Sequence, residues 1–153
     1  MIRKTLLLTT AMLALALAFA IALAVPQTAI AQSGGGEGML TASGDGLAGL
    51  RGEGTIVISG NGLLWIRDHA GDASIEVTGA GVKQVLPSGW IRYAGFNGTA
   101  EVTGSKITVA LSGFNIQLQA TGSGKFLLRG NGTYSIGKYT GVWTAEAQVL
   151  SLP

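Results

Sequence analysis

The hydrophobic and polar positions divide the chain into two parts with different patterns. Residues 6–25 are apolar almost without interruption, whereas the later apolar residues come in short runs separated by glycine. In that later part, residues 107–111 and 116–120 alternate between apolar and polar side chains, as half-buried strands do. Residues 55–58 and 63–66 are more continuously apolar, which is typical of strands covered on both faces. We therefore predict an all-β domain with almost no helix.

Short glycine motifs separate the predicted strands. Glycine adopts positive φ at no steric cost and Asn tolerates it, so these motifs are expected to form tight turns or corners. They are Gly60-Asn61-Gly62, Gly79-Ala80-Gly81, Asn97-Gly98, Gly122-Ser123-Gly124 and Gly130-Asn131-Gly132.

A Ser/Thr-Gly pair recurs at spacings of 19, 25, 18 and 19 residues. The pairs are Ser59-Gly60, Thr78-Gly79, Thr103-Gly104, Thr121-Gly122 and Thr140-Gly141. The longest spacing contains Pro87-Ser88-Gly89, so we interpret it as the same unit with an inserted loop. The Trp-Ile-Arg triplets at 65–67 and 90–92 keep the same 25-residue offset. We predict about five repeat units of 18–19 residues.

Two architectures fit this repeat. In a β-solenoid, each unit is one coil and equivalent residues stack in ladders, with Ser/Thr-Gly at a corner. In an antiparallel meander, each unit is a hairpin, and the hairpins close into a sandwich or barrel. The near-constant spacing favours the solenoid, whereas the Asn-Gly motifs favour hairpins. We take the β-solenoid as the prediction and keep the meander as the alternative.

Three of the units share a Ser/Thr-Gly-x-Gly motif, at residues 59–62, 78–81 and 121–124, each preceded by alternating apolar residues. In these motifs the chain resembles the Ser-Gly-x-Gly repeat β-solenoid domains of bacterial auto-transporter adhesin head proteins. The resemblance covers residues 55–141, and residues 103–106 depart from it because the second glycine is missing. It implies an exported scaffold or surface protein and supplies no catalytic residues.

The first 31 residues have the parts of an export signal. Arg3 and Lys4 precede the apolar run, and residues 29–31 (Ala-Ile-Ala) supply the small residues that signal peptidase accepts. Cleavage there makes Gln32 the first mature residue. The run of about 20 residues is also long enough to span a bilayer, so an uncleaved anchor is the alternative.

Either processing outcome places the rest of the chain outside the cytoplasm, as a secreted, periplasmic or cell-surface protein. Contact with a membrane is expected only through the N-terminal segment if it is retained. Residues 32–38 are rich in glycine and are predicted to be a flexible tether. The all-β repeat domain is expected to comprise residues 39–153.

Composition narrows the function further. The chain has 25 glycines, one histidine and no cysteine, and its formal net charge is +2. Without cysteine it has no disulfide, thiolate nucleophile or Cys-ligated metal. The residues after position 31 carry eight basic and eight acidic side chains. A neutral mature domain argues against nucleic-acid binding.

Catalytic signatures are absent from the sequence. It contains no Gly-x-Ser-x-Gly motif, and no glycine pair leads from a strand into a helix as a phosphate loop does. Asp68, His69 and Asp72 form the one concentrated polar cluster. Adjacent strand residues point to opposite faces, so Asp68 and His69 are not expected to orient each other. We interpret the cluster as a polar loop and expect no enzyme activity, cofactor or metal, with a hydrolase kept as a third hypothesis.

The aromatic and arginine positions form the candidate binding face. It consists of Trp65, Arg67, Trp90, Arg92 and Tyr93. These residues either pack, with the arginines pairing with Glu76 and Glu101, or form a flat aromatic–polar face that stacks sugar rings. We predict an exported structural or adhesive protein, with a carbohydrate- or polymer-binding module as the alternative. The expected partners are further copies of the chain or an envelope polymer or glycan.

Overall fold

The computed structural model describes residues 38–153, so the predicted signal, anchor and most of the tether lie outside the described residues. The strands are β1 (Gly38–Asp68), β2 (Ser74–Val85), β3 (Trp90–Ile136), β4 (Tyr139–Val142) and β5 (Gln148–Leu152). The all-β prediction is confirmed. Within residues 38–153 no helix has the length and apolar character needed to cross a membrane.

β1 and β3 are much longer than ordinary strands, and both are wound. Ala120 of β3 pairs with Leu40 of β1 on one side and with Ile56 of β1 on the other. Sixteen residues of straight strand would span about 53 Å, whereas two positions flanking one strand lie only about 10 Å apart. β1 therefore coils back on itself between Leu40 and Ile56, with β3 running between its successive turns.

Each turn of this winding has two extended segments, and the segments stack into two layers. Layer A runs in the order 139–142, 133–136, 39–43, 117–121, 55–59, 99–103 and 74–78. Layer B runs in the order 148–152, 124–129, 47–51, 108–112, 63–67, 90–94 and 82–85. The core lies between them, because one cluster of buried side chains draws Leu40, Ile58 and Leu118 from layer A and Leu50, Leu64 and Phe126 from layer B.

Glycine corners join the two layers within continuous strands. Gly54 and Gly122 face each other with φ of 117° and 137°, a backbone region that L side chains rarely adopt. A Cβ on Gly122 would lie 2.1 Å from the Glu53 carbonyl oxygen, and a Cβ on Gly54 would lie 2.1 Å from that of Thr121. Only glycine fits at both positions. The Gly-x-Gly motifs thus bend strands that continue, and do not close hairpins.

All strand pairings among residues 38–153 are antiparallel, and the sheet does not close on itself. The predicted β-solenoid, in which successive coils pair directly with each other, is therefore not shown, because β3 lies between the successive turns of β1. The pairing agrees with the antiparallel alternative, but an open sheet is neither a closed barrel nor a closed sandwich. The pairing is antiparallel because β3 runs back along β1, so neighbouring segments run in opposite directions.

Residues 107–111 are buried on both faces, which corrects their prediction as a half-buried strand. The outward-facing Thr108 and Ala110 are only 3% and 0% exposed. Trp65 lies directly opposite Ala110, and Arg67 lies directly opposite Thr108. Long side chains on the adjacent segment thus cover the small ones. Residues 116–120 alternate between buried and exposed, as predicted.

Candidate functional site

The outer sides of the two layers have different chemistry. We call the outer side of layer A the hydroxyl face, because Thr, Ser and Gln fill most of its positions. We call the outer side of layer B the basic face. Its cationic side chains are Arg51, Arg67, Arg92, Lys125 and Arg129. Since strand side chains alternate between faces, these two surfaces lie on opposite sides of the core.

Four of the five predicted binding-face residues come together on the basic face. Trp65 pairs with Arg92, and Arg67 pairs with Trp90. The guanidinium carbon of Arg92 lies 5.8 Å from the Trp65 ring centroid, and that of Arg67 lies 5.7 Å from the Trp90 centroid. Both distances are those of cation–π contacts. The two indoles meet edge to face, with centroids 6.0 Å apart.

These four side chains do not form a flat aromatic platform. Trp65 is only 3% exposed, whereas stacking a sugar needs an open ring face. Tyr93 does not belong to the group, because it packs on the core side, 6.3 Å from the Phe96 ring. Arg92 and Tyr93 are adjacent in a strand and so point to opposite sides. The cluster therefore covers layer B more than it offers a stacking surface.

The expected pairing of arginines with glutamates is not found among the described residues. Glu76 and Glu101 lie directly opposite each other on the hydroxyl face. The arginines occupy the other face, and Arg92 Nη1 instead donates to Gln84 Oε1 at 2.6 Å. Equivalent places in a sequence repeat do not determine the side of the sheet to which a side chain points.

Asp68 stabilises the loop that follows β1. Its carboxylate accepts backbone N–H groups from Ala70, Gly71 and Ala73, at 3.0, 2.7 and 2.9 Å. These bonds favour the charged carboxylate, so they hold the pKa of Asp68 below its usual value, with Ala73 contributing most. Asp72 accepts the N–H of Ser105 at 3.2 Å. Both carboxylates thus serve backbone donors rather than His69.

His69 faces Thr108 and a group of cations. Its Nε2 lies 3.0 Å from Thr108 Oγ1. Burial lowers the pKa of His69, and the positive charges of Arg67, Arg51 and Lys106 lower it further. Asp68, His69 and Asp72 therefore do not converge as a catalytic triad would. Within residues 38–153, no three Asp, Glu or His side chains are grouped to hold a metal ion.

The hydroxyl face is a surface that our sequence analysis missed. One row of directly paired residues crosses six segments of layer A. Its members are Thr133, Ser43, Gln117, Ser59, Thr99 and Thr78. Within it, Gln117 Nε2 donates to Ser43 Oγ at 2.8 Å. The signal for it in the sequence is the polar half of each alternating strand, which is rich in Thr, Ser and Gln.

A depression of about 890 Å³ lies on the hydroxyl face. Thr41, Ser43, Gln117, Gln119 and Thr133 are among its lining residues. Segments lie about 4.8 Å apart, and side chains on one face of a strand repeat about every 6.8 Å. The depression thus presents hydroxyl and amide groups on a regular grid, which can donate and accept hydrogen bonds over an extended area.

No family model, curated protein or solved structure matches this chain. The similarity of its Ser/Thr-Gly-x-Gly motifs to adhesin head repeats therefore stays a prediction. The geometry of the chain's own residues carries the functional argument.

Proposed function

We propose that this chain is an exported structural or adhesive protein of the cell envelope or surface, without catalytic activity. The single observation that carries the proposal is the hydroxyl face, where one polar row repeats across six segments. Repeated equivalent groups suit contact with an extended partner, since many weak contacts add along it. A reacting centre instead needs a few groups converging on one atom.

The residues with catalytic potential support the same proposal. Asp68 is engaged by three backbone N–H groups, and Asp72 by a fourth. A general base must be free to reach the proton it removes, and it is usually oriented by a neighbouring group. His69 instead contacts the hydroxyl of Thr108. Among the described residues, Asp68 and Asp72 therefore do not orient His69 as a general base, and the hydrolase hypothesis lacks that support.

The second candidate function is carbohydrate or polymer binding, which the depression on the hydroxyl face favours. Polar groups such as Gln117 and Gln119 are exposed there and can exchange hydrogen bonds with sugar hydroxyls. The aromatic–polar face of Trp65, Arg67, Trp90 and Arg92 is a weaker candidate for this role, because Trp65 is buried. Sugar recognition on this chain is therefore proposed to be mainly polar.

Retention on insoluble polysaccharides tests this binding. The purified chain is mixed with cellulose and chitin, which are uncharged, and the bound fraction is measured after washing. We expect Gln117→Ala with Gln119→Ala to abolish retention, while Gln84→Ala, which removes an exposed amide outside the depression, leaves it unchanged. Circular dichroism checks that each variant folds. No retention of the parent chain, or equal loss in both variants, would contradict polymer binding and leave the structural role.

The export proposal rests on residues 1–31 and has its own test. Expression of the full chain followed by cell fractionation should place it outside the cytoplasm. A mass beginning at Gln32 indicates cleavage, whereas the full mass in the membrane fraction indicates an anchor. Recovery from the cytoplasm alone would contradict export.

We also propose that the fold is a variant of a solenoid in which an antiparallel ribbon, rather than one strand, is coiled. Leu40 and Ile56 flanking Ala120 support this interpretation, since the chain returns beside itself after sixteen residues. In that arrangement the predicted 18–19-residue repeat corresponds approximately to one turn of the ribbon. It also brings the architecture closer to the adhesin head repeats that the motifs resemble.

A further inference from the structure

A row of like charges crosses the basic face. Lys125 lies directly opposite Arg51, Arg51 is opposite Thr108, and Thr108 is opposite Arg67. Trp90 pairs with Arg67 and ends the row. Five adjacent segments at about 4.8 Å spacing make the row about 19 Å long. We call these five residues the cationic row.

The cationic row opposes folding at Lys125 and Arg51, because like charges directly across a strand pair are destabilising, and Arg67 adds a third positive charge one segment beyond Thr108. The nearby carboxylates are engaged with other groups. Glu53 accepts the Ser123 hydroxyl at 3.0 Å, and Asp68 and Asp72 accept backbone N–H groups. Burial lowers the pKa of His69, and the nearby positive charges of Arg67, Arg51 and Lys106 lower it further, because they disfavour another positive charge beside them. An anionic ligand would relieve this repulsion.

A depression of about 420 Å³ adjoins one end of the cationic row. Arg51, Lys106 and Lys125 lie on its walls, and Leu127 contributes to its apolar lining. Ser123 and Glu53 also line it, and the Ser123 hydroxyl donates to Glu53 Oε1 at 3.0 Å, so the acidic groups of a ligand are expected beside the three cations. A ligand that combines an apolar ring face with acidic groups and hydroxyls matches these walls.

We propose that the cationic row binds an acidic polysaccharide, with carboxylates of the sugar units paired to Arg51, Lys125 and Arg67. Arginine suits this task because its planar guanidinium accepts a carboxylate in a two-pronged geometry. At the far end of the row the Arg67 guanidinium lies 5.7 Å from the centroid of the half-buried Trp90 ring, which holds it in place beside the surface. The proposal rests on the proposed function, which places the chain where such polymers occur.

The geometry favours a polysaccharide over the other polyanions. The DNA major groove admits a helix or a two-stranded ribbon, and a layer of seven segments is too wide to enter it. Membrane insertion needs exposed apolar side chains beside the cations. Among residues 38–153, the large exposed apolar residues all lie outside the cationic row. A flexible chain of acidic sugars can instead lie flat across the strands.

Calorimetric titration with polygalacturonate tests the proposal, with neutral dextran as the matched uncharged polymer. Arg51→Gln with Lys125→Gln removes two charges from the cationic row, while Lys83→Gln with Lys138→Gln removes two exposed charges elsewhere. We expect the first double variant to bind about tenfold more weakly or worse, and the second to stay within about twofold. Binding by the parent chain should weaken as salt rises, since Arg51 and Lys125 are exposed.

Several results would overturn the proposal. Equal weakening in the two double variants would show that net charge alone attracts the polymer. Equal affinity for dextran, or no affinity for polygalacturonate, would remove the acidic-sugar recognition. Tighter binding to a DNA duplex or to anionic vesicles would assign the cationic row to that partner instead.

Two controls separate a loss of binding from a loss of folding and from a failure of the proposed function. Removing charges from the cationic row relieves repulsion, so the Arg51→Gln, Lys125→Gln variant should have a Tm no lower than the parent. This separates lost binding from lost folding. The titration uses purified protein, so a chain found only in the cytoplasm would contradict the proposed function without altering the binding result.

Discussion

Gly122 is the position where the fold depends most directly on the absence of a side chain. β3 passes Gly54 of β1 there, and a Cβ on Gly122 would lie 2.1 Å from the Glu53 carbonyl oxygen. Real Cβ atoms keep at least 3.0 Å from such neighbours, so Gly122→Ala requires the two strands to separate by about 0.9 Å. The φ of 137° adds backbone strain, because alanine rarely adopts that conformation.

The expected loss of stability follows from these two effects. A separation of about 0.9 Å stretches ladder hydrogen bonds beyond 3.5 Å, and losing two of them costs about 2 kcal/mol. The positive φ costs about 1–2 kcal/mol more. We therefore expect Gly122→Ala to lower the free energy of unfolding by about 3–4 kcal/mol. For a domain of this size, that corresponds to a fall in Tm of about 10–20 °C.

Urea and thermal unfolding followed by circular dichroism measure this loss. Gly71→Ala is the matched control, because Gly71 also has positive φ, +80°, but no atom lies within 4 Å of its Cβ position. The control isolates the conformational cost of about 1–2 kcal/mol. The difference between the variants is the cost of the close approach together with that of the larger φ at Gly122. If Gly122→Ala loses no more stability than Gly71→Ala, the close approach at this corner does not affect the free energy of unfolding and the reasoning is refuted.

Three further predictions follow from burial, charge and the open edge. Trp65→Ala should lower the free energy of unfolding by about 3–5 kcal/mol, because Trp65 is only 3% exposed, and Trp90→Ala should lower it by less. If these variants instead lost polymer retention with an unchanged Tm, the aromatic platform would be favoured. The pKa of His69 is lowered by folding, so its contribution to stability is complete above its ordinary value of 6.5 and is lost as the pH falls below that value. His69→Gln should therefore flatten the fall in Tm between pH 7.5 and 5, and an unchanged slope would contradict this assignment. β2 forms an unpaired edge of the sheet, and its Val82 is 65% exposed. We therefore expect concentration-dependent association in analytical ultracentrifugation, and Val82→Lys should reduce it. A monomer at every concentration would contradict this expectation.

Local patterns in the sequence were sufficient for the strand content and for the corners. The alternation at residues 116–120 reports which side chains of one strand are buried, and it depends only on near neighbours. The glycine motifs report positions with unusual backbone angles, and Gly79 and Gly122 indeed have strongly positive φ. Both signals depend only on residues close in the sequence, so they can be interpreted without knowing the partner strand.

The direction of the neighbouring segments could not be predicted in the same way. A coiled strand needs corners at regular intervals whether its neighbours run parallel or antiparallel to it. Ala120 lies between Leu40 and Ile56 only because β3 returns along β1. That choice depends on long-range pairing, and sequence spacing does not report it.

The candidate sites depended on tertiary structure even more strongly. Arg51 and Lys125 lie far apart in the sequence, yet they become direct neighbours once β1 and β3 pair. The same pairing buries Trp65 over Ala110 and places Tyr93 on the opposite side from Arg92. The sequence by itself determined that this protein is a glycine-cornered β domain. The antiparallel winding decided its surfaces, because a side chain acquires its cross-strand neighbours only when distant segments become adjacent.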